Sequence, residues 1–452
     1  MKLRIPLFAE FYDYTGAARQ LERMAAKGWL LTDVGQWFWS FEKANPQKLH
    51  YTVVYFPDVS DLDPDPKIEL LDYIAMCEEA GWKLAAQRHQ MLIFCNEETN
   101  PVPIDTDPLI QVETIHKVMK KTHIRGHGVM MAIALLYLVR YVIDLNKYGV
   151  YFLADSFDLY LLMMWVMLFL GAAAEIVTYL LWLRRARGAA AVGSFVSAKR
   201  FPVLRMFEVT LSTVGMLLLL VFAADAVALL PMLILFAGIY LVIGGMNWFG
   251  KFLKKQGYDS GSNQIMQSGV MFAVLFVFFM LWATKTSDYV AEKRNEQAAG
   301  YVTDRYGDAR YYNDHTLPLS LDSLGVTAGD ATYDRSLEET ASPLISIVSG
   351  CDRPVLYMED EMENMPALSY TLYVAKVDWL NQYLKDWAML RYLRFAAIRD
   401  ERWQAEQVLK HVWEENYLVI WEDRVMEICF PYAPTDEQIR LVVETMKGGD
   451  FK

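Results

Sequence analysis

Phe272-Ala273-Val274-Leu275-Phe276-Val277-Phe278-Phe279-Met280-Leu281-Trp282 has no polar face. A helix in a soluble all-α core keeps a polar stripe, so this stretch belongs in hydrocarbon. Working outward, the chain between Val129 and Thr284 holds five segments long enough to cross a bilayer, which takes roughly 20 apolar residues. They run over about 129–147, 159–183, 206–224, 229–248 and 265–284. The first is the weakest: Arg140 and Asp144 interrupt it, and only Val129 to Val139 is free of charge.

Lys and Arg in short loops orient such a block, the cytoplasmic side being basic. Lys117, Lys120, Lys121 and Arg125 precede the first segment. Arg184, Arg185, Arg187, Lys199, Arg200 and Arg205 follow the second, and Lys251, Lys254 and Lys255 follow the fourth. The alternate loops hold only Lys147, beside Asp155, Asp158 and Asp225. These counts predict a multi-pass bacterial plasma-membrane protein with a cytoplasmic N-terminus and an extracytoplasmic C-terminus. Met1 to Pro6 is followed by no apolar run, so the first span is expected to serve as the targeting signal.

The spans separate residues 1–100, a linker and basic helix over 101–128, and an outer part over 285–452. The net charge of −12 arises away from the basic flanks, which argues against direct nucleic-acid binding. The basic flanks suit anionic lipid headgroups at the inner face. Cys77 and Cys95 fall on the reducing side, whereas Cys351 and Cys429 fall outside, where a bridge between them is chemically allowed. P-loop, G-x-S-x-G, H-E-x-x-H and Rossmann fingerprints are absent, and no C-x-x-C pair occurs. No catalytic residue, cofactor or metal is therefore assigned.

Leu21 to Leu31 and Ile74 to Leu84 share one pattern at an offset of 53 residues: the end of a helix, then Gly28-Trp29 or Gly81-Trp82, then a strand. Glycine just past a helix suits the left-handed position that costs other residues energy, and the Trp can fold back over the helix. Strands are predicted at Trp37-Phe38-Trp39-Ser40-Phe41, at His50 to Tyr55, and near Trp82–Ala86 and Gln90–Cys95, with a second helix over about Lys67–Ala80. The fold expected is a small α+β domain of two helix–turn–strand halves around one antiparallel sheet. Alternation sets Trp37, Trp39 and Phe41 on one face, a pattern that reads as core more readily than as a ligand-stacking row.

Met24-Ala25-Ala26-Lys27-Gly28-Trp29-Leu30-Leu31, followed by Phe38, Phe41-Glu42-Lys43 and Tyr51, resembles the bacterial membrane-protein family catalogued as domain of unknown function 2812. The resemblance covers about the first 95 residues. The family's usual Trp-Leu pair in the first helix stands here as Gln20-Leu21. Its members are often encoded beside PadR-type transcription regulators, so the resemblance implies a regulatory or envelope-response role. It carries over no catalytic residues.

His116, His123 and His127 invite a metal reading, but Gly126 and Gly128 interrupt the helix there and no acid stands close by in sequence. A basic collar at headgroup level is the stronger reading. Within the spans, Arg140 lies about 18 Å and Glu175 about 12 Å from the inner ends at 1.5 Å per residue, and Asp144 shares a face with Arg140. Such ions face protein or water. Either they form a polar site for a proton, ion or signal, or Arg140 pairs with Asp144 and Glu175 is structural.

Beyond the last span, 285–342 reads as loops with short strands, Tyr370–Val374 as a strand, and about 377–413 as helix with a break near 398–402. A hairpin follows about Glu422–Arg424, and Thr435 with Gln438 forms a capping box for a final helix. The outer domain is again α+β. Asp352, Asp360, Glu361 and Glu363 lack EF-hand spacing and read as a solvated acidic face. The function expected is that of a non-enzymatic membrane sensor or regulator linking an envelope signal to a cytoplasmic protein partner. The alternative is a transport-class protein using Arg140 and Glu175.

Overall fold

The computed structural model describes residues 2–6, 12–35, 38–57, 59–60, 63–88, 90–104, 107–194, 226–303, 309–326, 331–355, 365–391 and 394–449. It divides into two compact units. One comprises Met1–Leu136, Val166–Leu218 and Leu229–Ala283; the other comprises Tyr137–Trp165, Leu219–Ala228 and Thr284–Lys452.

The first unit begins with β1 (Lys2–Pro6), α1 (Tyr14–Ala26), β2 (Trp29–Val34) and β3 (Phe38–Lys43). The same order recurs as β4 (His50–Tyr55), α2 (Ile68–Glu79), β5 (Lys83–Arg88) and β6 (Met91–Asn96). Each half builds its own antiparallel sheet, ordered β1-β3-β2 and β4-β6-β5. The sequence repeat is therefore a repeat of topology. It extends to a register shift between Leu31 and Asp33 in the first sheet and between Leu84 and Ala86 in the second. The single sheet expected from sequence is in fact two, because each half completes its own ladder. Between the halves, the Arg88 guanidinium donates to the Gly35 carbonyl at 2.7 Å.

Strand alternation wraps helices around the second sheet. Tyr51, Val53, Tyr55 and Ile93 face the core that holds Leu21 and Ala25 of α1. Val54, Leu92 and Phe94 face Leu70 and Cys77 of α2, together with Trp82. Trp82 also donates its indole N–H to the Val102 carbonyl at 2.8 Å, and Trp29 packs half-buried on the first core. Trp39 and Phe41 lie in that core while Phe38 is exposed; Trp37 lies outside the described residues.

Gly28 and Gly81 adopt φ of +79° and +85°. A Cβ on Gly28 would stand 2.6 Å from the Ala44 carbonyl oxygen, whereas on Gly81 the nearest atom is the Asn96 amide nitrogen at 3.3 Å. Gly81→Ala is expected to cost about 1–2 kcal/mol for the left-handed backbone alone. Gly28→Ala should cost a further ~1–3 kcal/mol, because a backbone atom cannot step aside. Denaturant midpoints of the detergent-solubilised protein check this, and equal losses would contradict it.

The helices follow: α3 (Pro108–Met119), a π turn (Lys120–Ile124), α4 (Arg125–Tyr148), α5 (Val150–Ala154), α6 (Ser156–Ala190), α7 (Ala226–Lys255) and α8 (Ser260–Gln297). Among the described residues, four stretches are long and apolar enough to cross a membrane: Pro108–Tyr148, Ser156–Ala190, Leu233–Lys255 and Ser260–Gln297. The third span expected, 206–224, lies outside the described residues. Gly126 and Gly128 do not break the helix as the sequence suggested. Both sit inside α4 with open space where a Cβ would be, and a glycine there costs about 1 kcal/mol relative to Ala without ending the helix.

The second unit carries β7 (Gly300–Thr303), β8 (Ala309–Tyr312), β9 (Tyr333–Ala341), β10 (Ile345–Pro354), β11 (Leu368–Ala375), α9 (Asn381–Arg391), β12 (Phe395–Ile398), β13 (Gln407–His411), β14 (Asn416–Ile420), β15 (Arg424–Cys429) and α10 (Asp436–Gly448). Seven strands form one sheet ordered β12-β13-β14-β15-β11-β10-β9. On one face Ile439, Val442 and Met446 of α10 pack with Trp403, Tyr370 and Leu372. On the other, Leu384 and Ala388 of α9 pack with Tyr373, Leu418 and Ile420. The capping box at Thr435 and Gln438 is formed, with both reciprocal bonds present.

The helix expected over 377–413 is a helix only at Asn381–Arg391; its second half supplies β12 and β13. Val408 and Leu409 bury on opposite faces of the sheet, and a strand covered on both sides has no alternation to distinguish it from a buried helix.

Cys351 stands opposite Ser369, and Ser369 stands opposite Cys429. One whole strand separates the two cysteines, so their Cα atoms are about 9.6 Å apart, two ladder spacings. That exceeds the ~7 Å reach of a disulfide, and both are free thiols, pushed up in pKa by burial. The bridge that the sequence allowed is not made. Asp352 is buried: it accepts the Leu321 N–H at 2.9 Å and lies 3.5 Å from the Arg335 guanidinium, a structural role.

Candidate functional site

The core around α1 is not closed by its own two sheets. Val112, Ile115, Val118 and Met119 of α3 enter it at helical spacing, as do Tyr179, Trp182, Leu183, Ala186 and Ala190 of α6. The helix read as a carrier of basic residues is thus also an apolar wall of the N-terminal domain. Asp107 caps its start by accepting from the N–H groups of Leu109 and Ile110. Tyr12 plugs the junction, its ring centroid 5.3 Å from Tyr179, 5.1 Å from Trp182 and 6.1 Å from His123. Tyr179 is fully buried and shares a 2.8 Å hydrogen bond with His116 Nδ1. At the rim, Arg187 grips Glu113 with two hydrogen bonds of 2.8 and 3.1 Å.

Beside this junction lie three groups that the sequence kept apart. His123 is on the π turn and His127 is one turn further on; their ring centroids are 4.2 Å apart. Glu175, one turn before Tyr179 on α6, brings a carboxylate oxygen to 3.7 Å from His123 Nε2. That nitrogen is buried and has no hydrogen-bond partner. His127 Nδ1 lies 2.8 Å from the His123 carbonyl oxygen. Because a carbonyl only accepts, Nδ1 carries the proton and donates, leaving Nε2 with its lone pair. One ligand atom from each of the three residues lies within 4.8 Å of the others.

Glu175 therefore faces protein, as expected of an ion set within the apolar run 159–183. Tyr179, Trp182 and Leu183 belong to the domain core, so hydropathy counts as membrane a turn and a half that packs on protein. Arg140 takes a separate partner, its Nε donating to Asp144 Oδ2 at 3.2 Å. The His123–His127 spacing of four was present in the sequence, but the acid comes from another helix and left no local signal.

Residues 13–125 match the family described as Protein of unknown function (DUF2812). The DUF2812 region takes in the repeat from α1 to β6, α3 and the π turn with His123, leaves out β1, and ends before His127 and Glu175. No curated protein and no solved structure matches the chain.

Proposed function

We propose that this chain is a non-enzymatic integral membrane sensor or regulator. Its C-terminal domain meets a signal in the envelope, and its DUF2812 region meets a cytoplasmic protein partner. The observation that carries this reading is the shared core: the first two membrane helices supply walls to the N-terminal domain. A shift or rotation of either helix must then repack that domain, since packed cores respond by switching between arrangements more than by continuous deformation.

Two sets of contacts support five crossings with the termini on opposite sides. The Asp63 carboxylate accepts the Ser260 N–H at 3.3 Å, which ties the turn between α7 and α8 to the N-terminal domain. The connection between α4 and α6 belongs instead with the C-terminal sheet. The Tyr151 and Tyr373 hydroxyls meet at 2.7 Å, Ser156 Oγ donates to the Ala341 carbonyl at 2.7 Å, and Ser342 Oγ donates to the Leu153 carbonyl at 2.6 Å. If α6 and α7 both end on the inner side, the chain between them crosses once more. Transport through Arg140 and Glu175 is the weaker reading, because each already has a side-chain neighbour of opposite type.

Reporter fusions test the arrangement. A fusion after Lys255 should report cytoplasm and one after Lys452 the exterior; a cytoplasmic signal from Lys452 would sink the five-span reading.

A further inference from the structure

We propose that His123, His127 and Glu175 bind one divalent transition-metal ion of the zinc class, wedged between the π turn and α6. Two imidazoles and one carboxylate form the donor set of zinc sites that keep a coordination position open. Imidazole donors also select against calcium and magnesium, which take oxygen ligands.

Four features of the site converge on this assignment. The two histidines are four residues apart across the junction of the π turn with α4, so both rings project to the same side. The His127 Nδ1 contact with the His123 carbonyl is the outer bond that fixes a metal-binding tautomer and aims Nε2. The buried His123 Nε2 makes no hydrogen bond of normal geometry and stands 3.7 Å from the Glu175 carboxylate; a metal between them would satisfy both, where a buried polar atom left bare costs about 1–3 kcal/mol. The π turn supplies the position of His123, and such turns gather at functional sites.

The spacing is close to what an ion needs. Bonds of 2.0–2.1 Å set tetrahedral ligand atoms about 3.3 Å apart. His123 and Glu175 stand at 3.7 Å and the full set lies within 4.8 Å, so closure needs movements of about 1.5 Å or less. Rotation about the Glu175 and His127 side-chain bonds supplies that.

The test uses the full chain in detergent, stripped with EDTA and titrated with Zn²⁺ by calorimetry. The expected result is one equivalent bound with a dissociation constant below about 1 µM, unaffected by millimolar Mg²⁺. Co²⁺ in place of Zn²⁺ should give the intense visible bands of a four- or five-coordinate nitrogen–oxygen site. His127→Gln and Glu175→Gln should each weaken uptake at least tenfold, the lower end of what loss of even an outer-sphere partner does. His123→Gln is not the deciding variant, since it also disturbs the packing against Tyr12.

If Glu175→Gln fails to fold, His127→Gln decides alone, because its ring is only partly buried. Folded wild-type protein that takes up no Zn²⁺, or variants that bind as the wild type does, would overturn the assignment. Metal capture is separable from signalling: the fusions above can fail while uptake succeeds, and the reverse.

Discussion

Tyr179→Ala, a change in the second membrane helix, is expected to unfold the N-terminal domain at a markedly lower temperature. Tyr179 is fully buried, packs edge-on against Tyr12 and tilted against Trp182, and holds His116 by a hydrogen bond. Deleting a buried aromatic costs about 3–5 kcal/mol, and an unpartnered His116 nitrogen adds to the loss. For a domain of this size that corresponds to a drop of at least about 10 °C. Protease resistance of the N-terminal domain against temperature, in detergent, gives the measurement. Leu180→Ala and Leu181→Ala are the controls: both side chains are about half exposed and should change domain stability by less than about 0.5 kcal/mol. If all three variants behave alike, the domain does not depend on α6, and the sensor reading loses the observation that carries it.

Gly149→Val is expected to release the connection between α4 and α6 from the C-terminal sheet. Gly149 has φ +56° and ψ −117°, a conformation essentially reserved for glycine, which costs other residues of order 1–3 kcal/mol. A Cβ there would also fall 2.4 Å from Trp387 Nε1. The indole is held between Tyr151 and Tyr373, with Arg391 over its face, so it has little room to yield. Together these effects predict a loss of about 2–5 kcal/mol in the C-terminal domain, with new protease cleavage near residues 149–155. Gly126→Ala and Gly128→Ala should do the opposite. Each fills open space in α4 and is expected to stabilise the helix by about 0.5–1 kcal/mol. Cleavage unchanged in Gly149→Val would show that the connection is not held by the sheet.

Much of the fold was legible because its signals are local. Glycine followed by Trp marked both helix ends in the repeat. The run Phe272–Trp282, with no polar face, read as part of a membrane-length helix and lies within α8, long and apolar enough to cross, and Thr435 with Gln438 announced its capping box. Where the sequence misled, a tertiary partner had changed the meaning of a local pattern. Gln407–His411 lies one strand in from the edge of a sheet covered on both faces, so its apolar residues carry no alternation. Cys351 and Cys429 share a row on the sheet, but the strand between them is set by pairing that neither residue encodes.

The candidate site was half legible for the same reason. His123 and His127 were visible at a spacing of four, but the glycines beside them suggested a broken helix and no acid stood nearby. Glu175 was visible as a costly charge within a span, one that had to face protein or water, but the sequence did not say which partner it faced. Only the packing of Tyr179, Trp182 and Leu183 into the domain core brings Glu175 beside the two histidines.

The π turn at Lys120–Ile124 has a mechanical consequence of its own. A π turn is one surplus residue in a screw thread, and it can pass along the helix without any chain break. Its migration keeps the number of α and π steps, and so the angle between the two flanks, unchanged, while each residue it passes turns by about 100°, since an α-helix makes a turn every 3.6 residues. Side chains along this stretch can therefore be re-aimed while the N-terminal domain and the first span stay in place, and His123 stands where that slip occurs.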